Sequence, residues 1–219
     1  MSIKKSKYFE LEYTEKDEEY IDELFEYVED ESKYIVSFFD IDNFDNIVYI
    51  KLFDNLNTFR KECSKVKGGL EVPLWLCGLS FRRNGIDRIY ALCLEEYKKT
   101  DGHNNCILED LKRLIIHEFV HNCHRKYTNI KLPMWLGDGL ATYLSHQYDG
   151  DNNLTFNASL DEVINGGVSY KNYYIMFSYA LNNYGKDYIL GLLKDEEFLK
   201  EETVKLYNEV SSFYKNKSR

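Results

Sequence analysis

Apolar and polar residues alternate over residues 7–13, with Phe9, Leu11 and Tyr13 on one side and Tyr8, Glu10 and Glu12 on the other, the pattern of a half-buried strand. Thr14 followed by Asp17 reads as a helix start, where a side-chain oxygen meets the first free amides. Ile21, Leu24, Phe25 and Val28 then recur at helical spacing, which predicts an amphipathic helix over residues 17–34. The run IVYIKLF at 47–53 predicts a strand, residues 54–66 a second helix, and Lys67-Gly68-Gly69 its exit. Two β-prone runs, 72–81 and 86–94, flank Arg82-Arg83-Asn84-Gly85, whose Asn-Gly pair predicts a hairpin turn.

The second half changes period. Residues 106–126 carry Ile107, Leu111, Leu114 and Ile115, then Phe119 or Val120, on one helical stripe. Pro133 suits the start of a helix running to about residue 148. A loop rich in Asp, Asn and Gly at 149–169 precedes two helices, 170–184 and 187 to the C-terminus, the latter with a break expected near Glu201. The expected fold class is α+β: a mixed β-sheet lobe with helices over residues 1–126, ending in the 106–126 helix, then an all-helical lobe over 127–219.

Composition narrows the partners. The 219 residues suit one domain or two small lobes. Thirty-seven acidic against 28 basic residues leave a net charge of −9, which repels a phosphate backbone. The basic residues read as dispersed, and the twelve acids of segment 8–31 read as a solvated helix face. No apolar run approaches a membrane span, and no hydrophobic stretch follows the basic N-terminus as a secretion signal would require. Five cysteines without a CxxC pair read as reduced, buried thiols. A cytoplasmic monomer with no nucleic-acid or membrane partner is therefore expected. With 19 tyrosines in the chain, a tyrosine near any given site carries little weight.

One constellation carries chemistry. His117-Glu118-Phe119-Val120-His121 is an HExxH sequence inside the third expected helix. Four residues are one turn and about 40° more, so both imidazoles leave the same face and can reach one Zn²⁺ ion. Glu118 lies beside His117 around the helix, where it can serve as general base toward a water at the ion. The flanking Leu114, Ile115, Ile116, Phe119 and Val120 make an apolar setting in which two histidines and a glutamate call for a metal or an ion pair. The competing reading is a pair of structural histidines satisfied by their neighbours. His124, a turn further on, does not fit the metzincin spacing and reads as a surface or supporting residue; Cys123 reads as a buried thiol.

The segment Leu132-Pro-Met-Trp-Leu-Gly-Asp-Gly-Leu-Ala-Thr-Tyr143 resembles the gluzincin metallopeptidases, in particular the peptidase MA-like families, whose PxWLxEGLAxY stretch follows HExxH on the next helix. Pro133, Trp135, Leu136, Gly139, Leu140, Ala141 and Tyr143 match, and Asp138 stands where the family carries its metal-binding Glu. The likeness covers about residues 107–190. It implies a zincin-like fold, one Zn²⁺ ion held by His117, His121 and Asp138, and hydrolysis of peptide or protein substrates with Glu118 as base. Asp keeps the carboxylate but shortens its reach by one carbon–carbon bond, about 1.5 Å; alone, Asp138 would read equally well as a helix-capping acid. The family also places a tyrosine at the start of a later helix to hold the oxyanion, a role that falls to Tyr170, with Tyr173 second. An aminopeptidase is not supported, since Cys77-Gly-Leu-Ser-Phe81 stands where related aminopeptidases carry Gly-x-Met-Glu-Asn, so an endopeptidase is favoured. The run 86–94 is read as the edge strand along which an extended peptide would lie. The alternative is a catalytically inactive relative, a binding or regulatory protein, which the Asp at 138 favours.

Overall fold

The computed structural model describes residues 1–217 and is α+β, with a five-stranded mixed sheet and eight helices among those residues. It divides into two compact units, Met1–Cys123 and His124–Arg219.

The first unit holds the sheet. Strands β1 (Ser2–Lys5), β2 (Phe9–Tyr13), β3 (Val48–Phe53), β4 (Gly78–Arg83) and β5 (Ile86–Leu92) lie in the order β1-β2-β3-β5-β4. β2, β3 and β5 run parallel; β1 and β4 close the two sides antiparallel. Helix α1 (Ile21–Phe38) links β2 to β3, and α2 (Leu56–Val66) follows β3. Phe9, Leu11, Val48, Ile50, Leu52, Ile89 and Ala91 are buried with Leu24, Val28 and Ile35 of α1 and Phe59 of α2, each of the larger side chains worth about 1.5–3 kcal/mol when removed from water.

Several boundaries differ from the sequence reading. β1 was not anticipated, because SIKK carries one apolar residue and buries none. Thr14 and Asp17 do form a capping box, but on a 3₁₀ turn, Glu15–Asp17, and α1 begins only at Ile21. Of the run 72–81, only Gly78 onward is strand; the hairpin turn itself holds Asn84 at φ 53° and Gly85 at φ 78°, the left-handed pair of a two-residue hairpin. β5 is not an edge: it pairs with β3 on one side and β4 on the other, so the free edge belongs to β4. A short α3 (Leu94–Tyr97) follows β5.

Helix α4 (Leu108–Tyr127) begins where the Asp110 carboxylate accepts from the Ile107 amide at 2.9 Å. Acids fill its first turn, and His124, Arg125 and Lys126 its last, each sign matched to the helix dipole. Leu111, Ile115, Ile116, Phe119 and Val120 are fully buried, and the Phe119 ring stacks on Phe44 at 5.7 Å.

The second unit is helical. Pro133 precedes α5 (Met134–Leu144), which stops short of the expected residue 148 as His146 turns to φ 58°. The loop after it contains α6 (Leu160–Asn165), capped by a Ser159–Glu162 box. α7 (Tyr170–Leu192) is kinked at Gly185, whose φ of 82° and ψ of 175° are not helical, so two helical stretches meet where the sequence reading placed the boundary between residues 184 and 187. α8 (Glu196–Lys217) contains Glu201 without a break; the second interruption lies between Leu192 and Glu196 instead. α5 packs along α7 through Gly139, where a Cβ would stand 2.6 Å from the Tyr173 carbonyl. The Trp135 indole, fully buried, donates to the Thr203 hydroxyl at 3.1 Å.

Candidate metal centre

α4 places the HExxH side chains as the spacing requires. The His117 and His121 Nε2 atoms face each other at 3.1 Å, with the rings edge-on at 4.8 Å between centroids. Two nitrogens bound at 2.0–2.1 Å to one tetrahedral ion stand about 3.3 Å apart, so the imidazole pair could share a single metal ion. His117 is buried and His121 half-buried. Asn122, fully buried, donates to the Glu118 carbonyl at 3.2 Å and braces the turn between the two histidines.

Glu118 lies against the start of the edge strand. A Cβ on Gly78 would come within 2.9 Å of Leu114 Cδ1 and 3.3 Å of Glu118 Cγ, so a side chain here would crowd both residues. Burial pushes the Cys63 and Cys77 thiols up to about 12, with the nearby Glu118 charge adding to both. The Cys77 and Cys106 sulfurs lie 4.0 and 3.7 Å from opposite ring nitrogens of His103. All five cysteines are buried.

Asp138 stands in the second unit, buried at 8% exposure on the first turns of α5. The backbone carbonyls of Asp138 and Gly139 both accept from Thr142 Oγ1, at 2.8 and 3.0 Å. Tyr173, on α7, is raised above the usual phenol range, first by burial, with the Asp138 and Glu162 charges adding to it. Its hydroxyl donates to the Glu162 carbonyl at 3.4 Å, a packing role. Tyr170 is the first residue of α7, 37% exposed, its ring 5.9 Å from that of Tyr173.

The structure thus joins His117, Glu118 and His121 in one unit, and Asp138 and Tyr173 in the other. Sequence reading missed Gly78, because a strand glycine has no pattern of its own. The Asn84-Gly85 turn was the available signal: it fixes a hairpin whose first arm can lie outermost. In comparisons with known proteins, no family model and no curated protein matches this chain.

Proposed function

We propose that this chain is a zinc-dependent peptidase with a zincin-like arrangement, similar in kind to the gluzincins, in which His117, His121 and Asp138 hold one ion. The observation that carries the reading is the pair of imidazole nitrogens 3.1 Å apart on one helix, with the Glu118 carboxylate between them in sequence and the edge strand beside it. Two imidazoles and a carboxylate are a donor set suited to zinc.

A zinc ion held by His117, His121 and Asp138 would supply Lewis acidity toward a water and a peptide carbonyl. Glu118 accepts the proton of the attacking water and returns it to the leaving amine nitrogen. The free edge of β4 takes the substrate as an added extended strand, its backbone amides and carbonyls holding the peptide beside Glu118. Tyr170 donates toward the developing oxyanion.

Metal analysis of protein purified without chelator tests this directly. About one zinc per chain is expected, falling to near zero in His117→Ala. Glu118→Ala should keep the metal and lose cleavage of a peptide library by at least about a hundredfold, the scale of general-base contributions. Bound zinc with no hydrolysis in the wild type would favour a silent binding protein instead; no metal at all would remove the reading.

A further inference from the structure

The segment between α2 and β4 exposes apolar side chains on a backbone that is held in place. Leu70, Leu74 and Trp75 are 68, 55 and 52% exposed, whereas Val72 among them and Leu76 after them are buried. The Leu70 carbonyl accepts from Ser64 Oγ at 2.9 Å and the Leu74 carbonyl from Arg60 at 3.1 Å, so both points are tied to α2. The Gly69 amide adds a bond to the Ser64 carbonyl at 2.8 Å. A fixed backbone that turns two leucines and a tryptophan outward is a surface built for contact rather than a frayed loop.

The cations beside it say what kind of contact. Arg60, Lys61, Lys65 and Lys67 fall within eight residues, against Glu62, which pairs with Lys65 at 2.6 Å, and the exposed Glu71 further along the segment, so 60–76 keeps a net positive charge in a chain of net charge −9. Lys61 and Lys65 are exposed, and Arg60 is the residue that grips Leu74. The sequence reading took the basic residues as dispersed and expected no membrane partner, on the absence of a spanning run; no helix among the described residues is long and apolar enough to cross a membrane. A peripheral contact needs no span. Outward Trp and Leu flanked by a basic stripe have the composition that enters the headgroup region of an anionic leaflet.

We propose that the 60–76 segment docks the protein on an anionic bilayer surface, with Leu70, Leu74 and Trp75 entering the interface and the α2 cations facing the lipid phosphates. The proposal stands independently of the peptidase reading.

The full chain is tested by co-sedimentation with vesicles of phosphatidylcholine carrying about 30% phosphatidylglycerol, and with phosphatidylcholine alone. Partitioning should be at least about tenfold stronger on the anionic vesicles and should weaken as salt rises. Tryptophan emission should shift to the blue on binding, a signal owed to Trp75, since Trp135 is already fully buried. Leu74→Ser with Trp75→Ser should lose at least about tenfold in binding, and Lys61→Glu with Lys65→Glu should remove the preference for anionic lipid. These positions are exposed, and circular dichroism confirms that each variant folds. Equal binding to both vesicle types, wild-type binding by the serine variant, or no binding at all would overturn the proposal. So would light scattering that finds the wild type dimeric and the serine variant monomeric with no vesicle binding by either.

Discussion

At Gly78 a single hydrogen separates β4 from the Leu114 and Glu118 side chains. Gly78→Ala therefore pushes on the Leu114 side chain and asks the Glu118 side chain to give by a few tenths of an ångström. Cleavage by the proposed peptidase should fall at least about tenfold, a response expected when a catalytic group is misplaced by a fraction of an ångström, while zinc content stays at the wild-type level because His117 and His121 are untouched. Peptide turnover and metal analysis on the same sample check both halves. The thiols yield a second residue-scale expectation. Burial holds the Cys63 and Cys77 thiols near 12 and raises those of Cys93 and Cys106 as well, so these thiols stay protonated at pH 8 and should resist a thiol-specific chromogenic reagent until denaturant is added. At this scale the sequence was legible where chemistry demands a spacing, as in His117 and His121, and silent where the requirement is an absence of atoms, as in Gly78.

Among the elements, α1 depends on what precedes it. The Asp17 carboxylate, fully buried, accepts from the Thr14 amide at 2.8 Å, from the Thr14 hydroxyl at 3.2 Å, and from the Tyr20 hydroxyl. Tyr20 in turn accepts from the Leu94 amide at 3.2 Å, tying the turn to the start of α3. Asp17→Ala leaves these donors without their shared acceptor and should cost about 2–3 kcal/mol, read as a lower urea midpoint. The sequence marked Thr14 and Asp17 as a start signal but not the 3₁₀ turn, since both helix types use the same cap. Gly139 plays the corresponding part for α5 and α7. Its replacement by Ala forces a methyl against the Tyr173 carbonyl and should cost about 1–3 kcal/mol, measurable by the same titration. Strand order was the less legible part: β4 and β5 are similarly apolar in sequence, and only the parallel pairing of β5 with β3 decides which of them lies at the edge.

For the molecule as a whole, stability toward acid rests on carboxylates whose charged form the fold favours. Burial works against the Glu96 charge, but the Lys99 ammonium and the Leu56 amide outweigh it, so its pKa lies below the ordinary value. A depressed native pKa adds stability above the unfolded value of about 4.3 and loses it as pH falls through the native one. Glu96→Gln should therefore lower the melting temperature at pH 7, with the difference from wild type closing as pH falls through about 4 toward the native pKa. Thermal scans from pH 7 to 3 check it. The α+β class was legible because the hydrophobic period changes from two to helical along the chain. In the second half the interruption at Gly185 was legible, because the glycine itself marks it, but the end of α5 and the break after Leu192 were not, because His146 and that break depend on backbone geometry that side-chain pattern does not encode.

Gly185 sits inside α7 at φ 82° and ψ 175°, with nothing within 4 Å of the place where a Cβ would stand. Space is thus no obstacle there; handedness is. An L-alanine would pay about 1–3 kcal/mol for that torsion, whereas D-alanine introduced by chemical ligation would be accommodated, so the position discriminates mirror images rather than sizes. Thermal melts of a residue-185 panel should place glycine highest, with every L-residue variant below it.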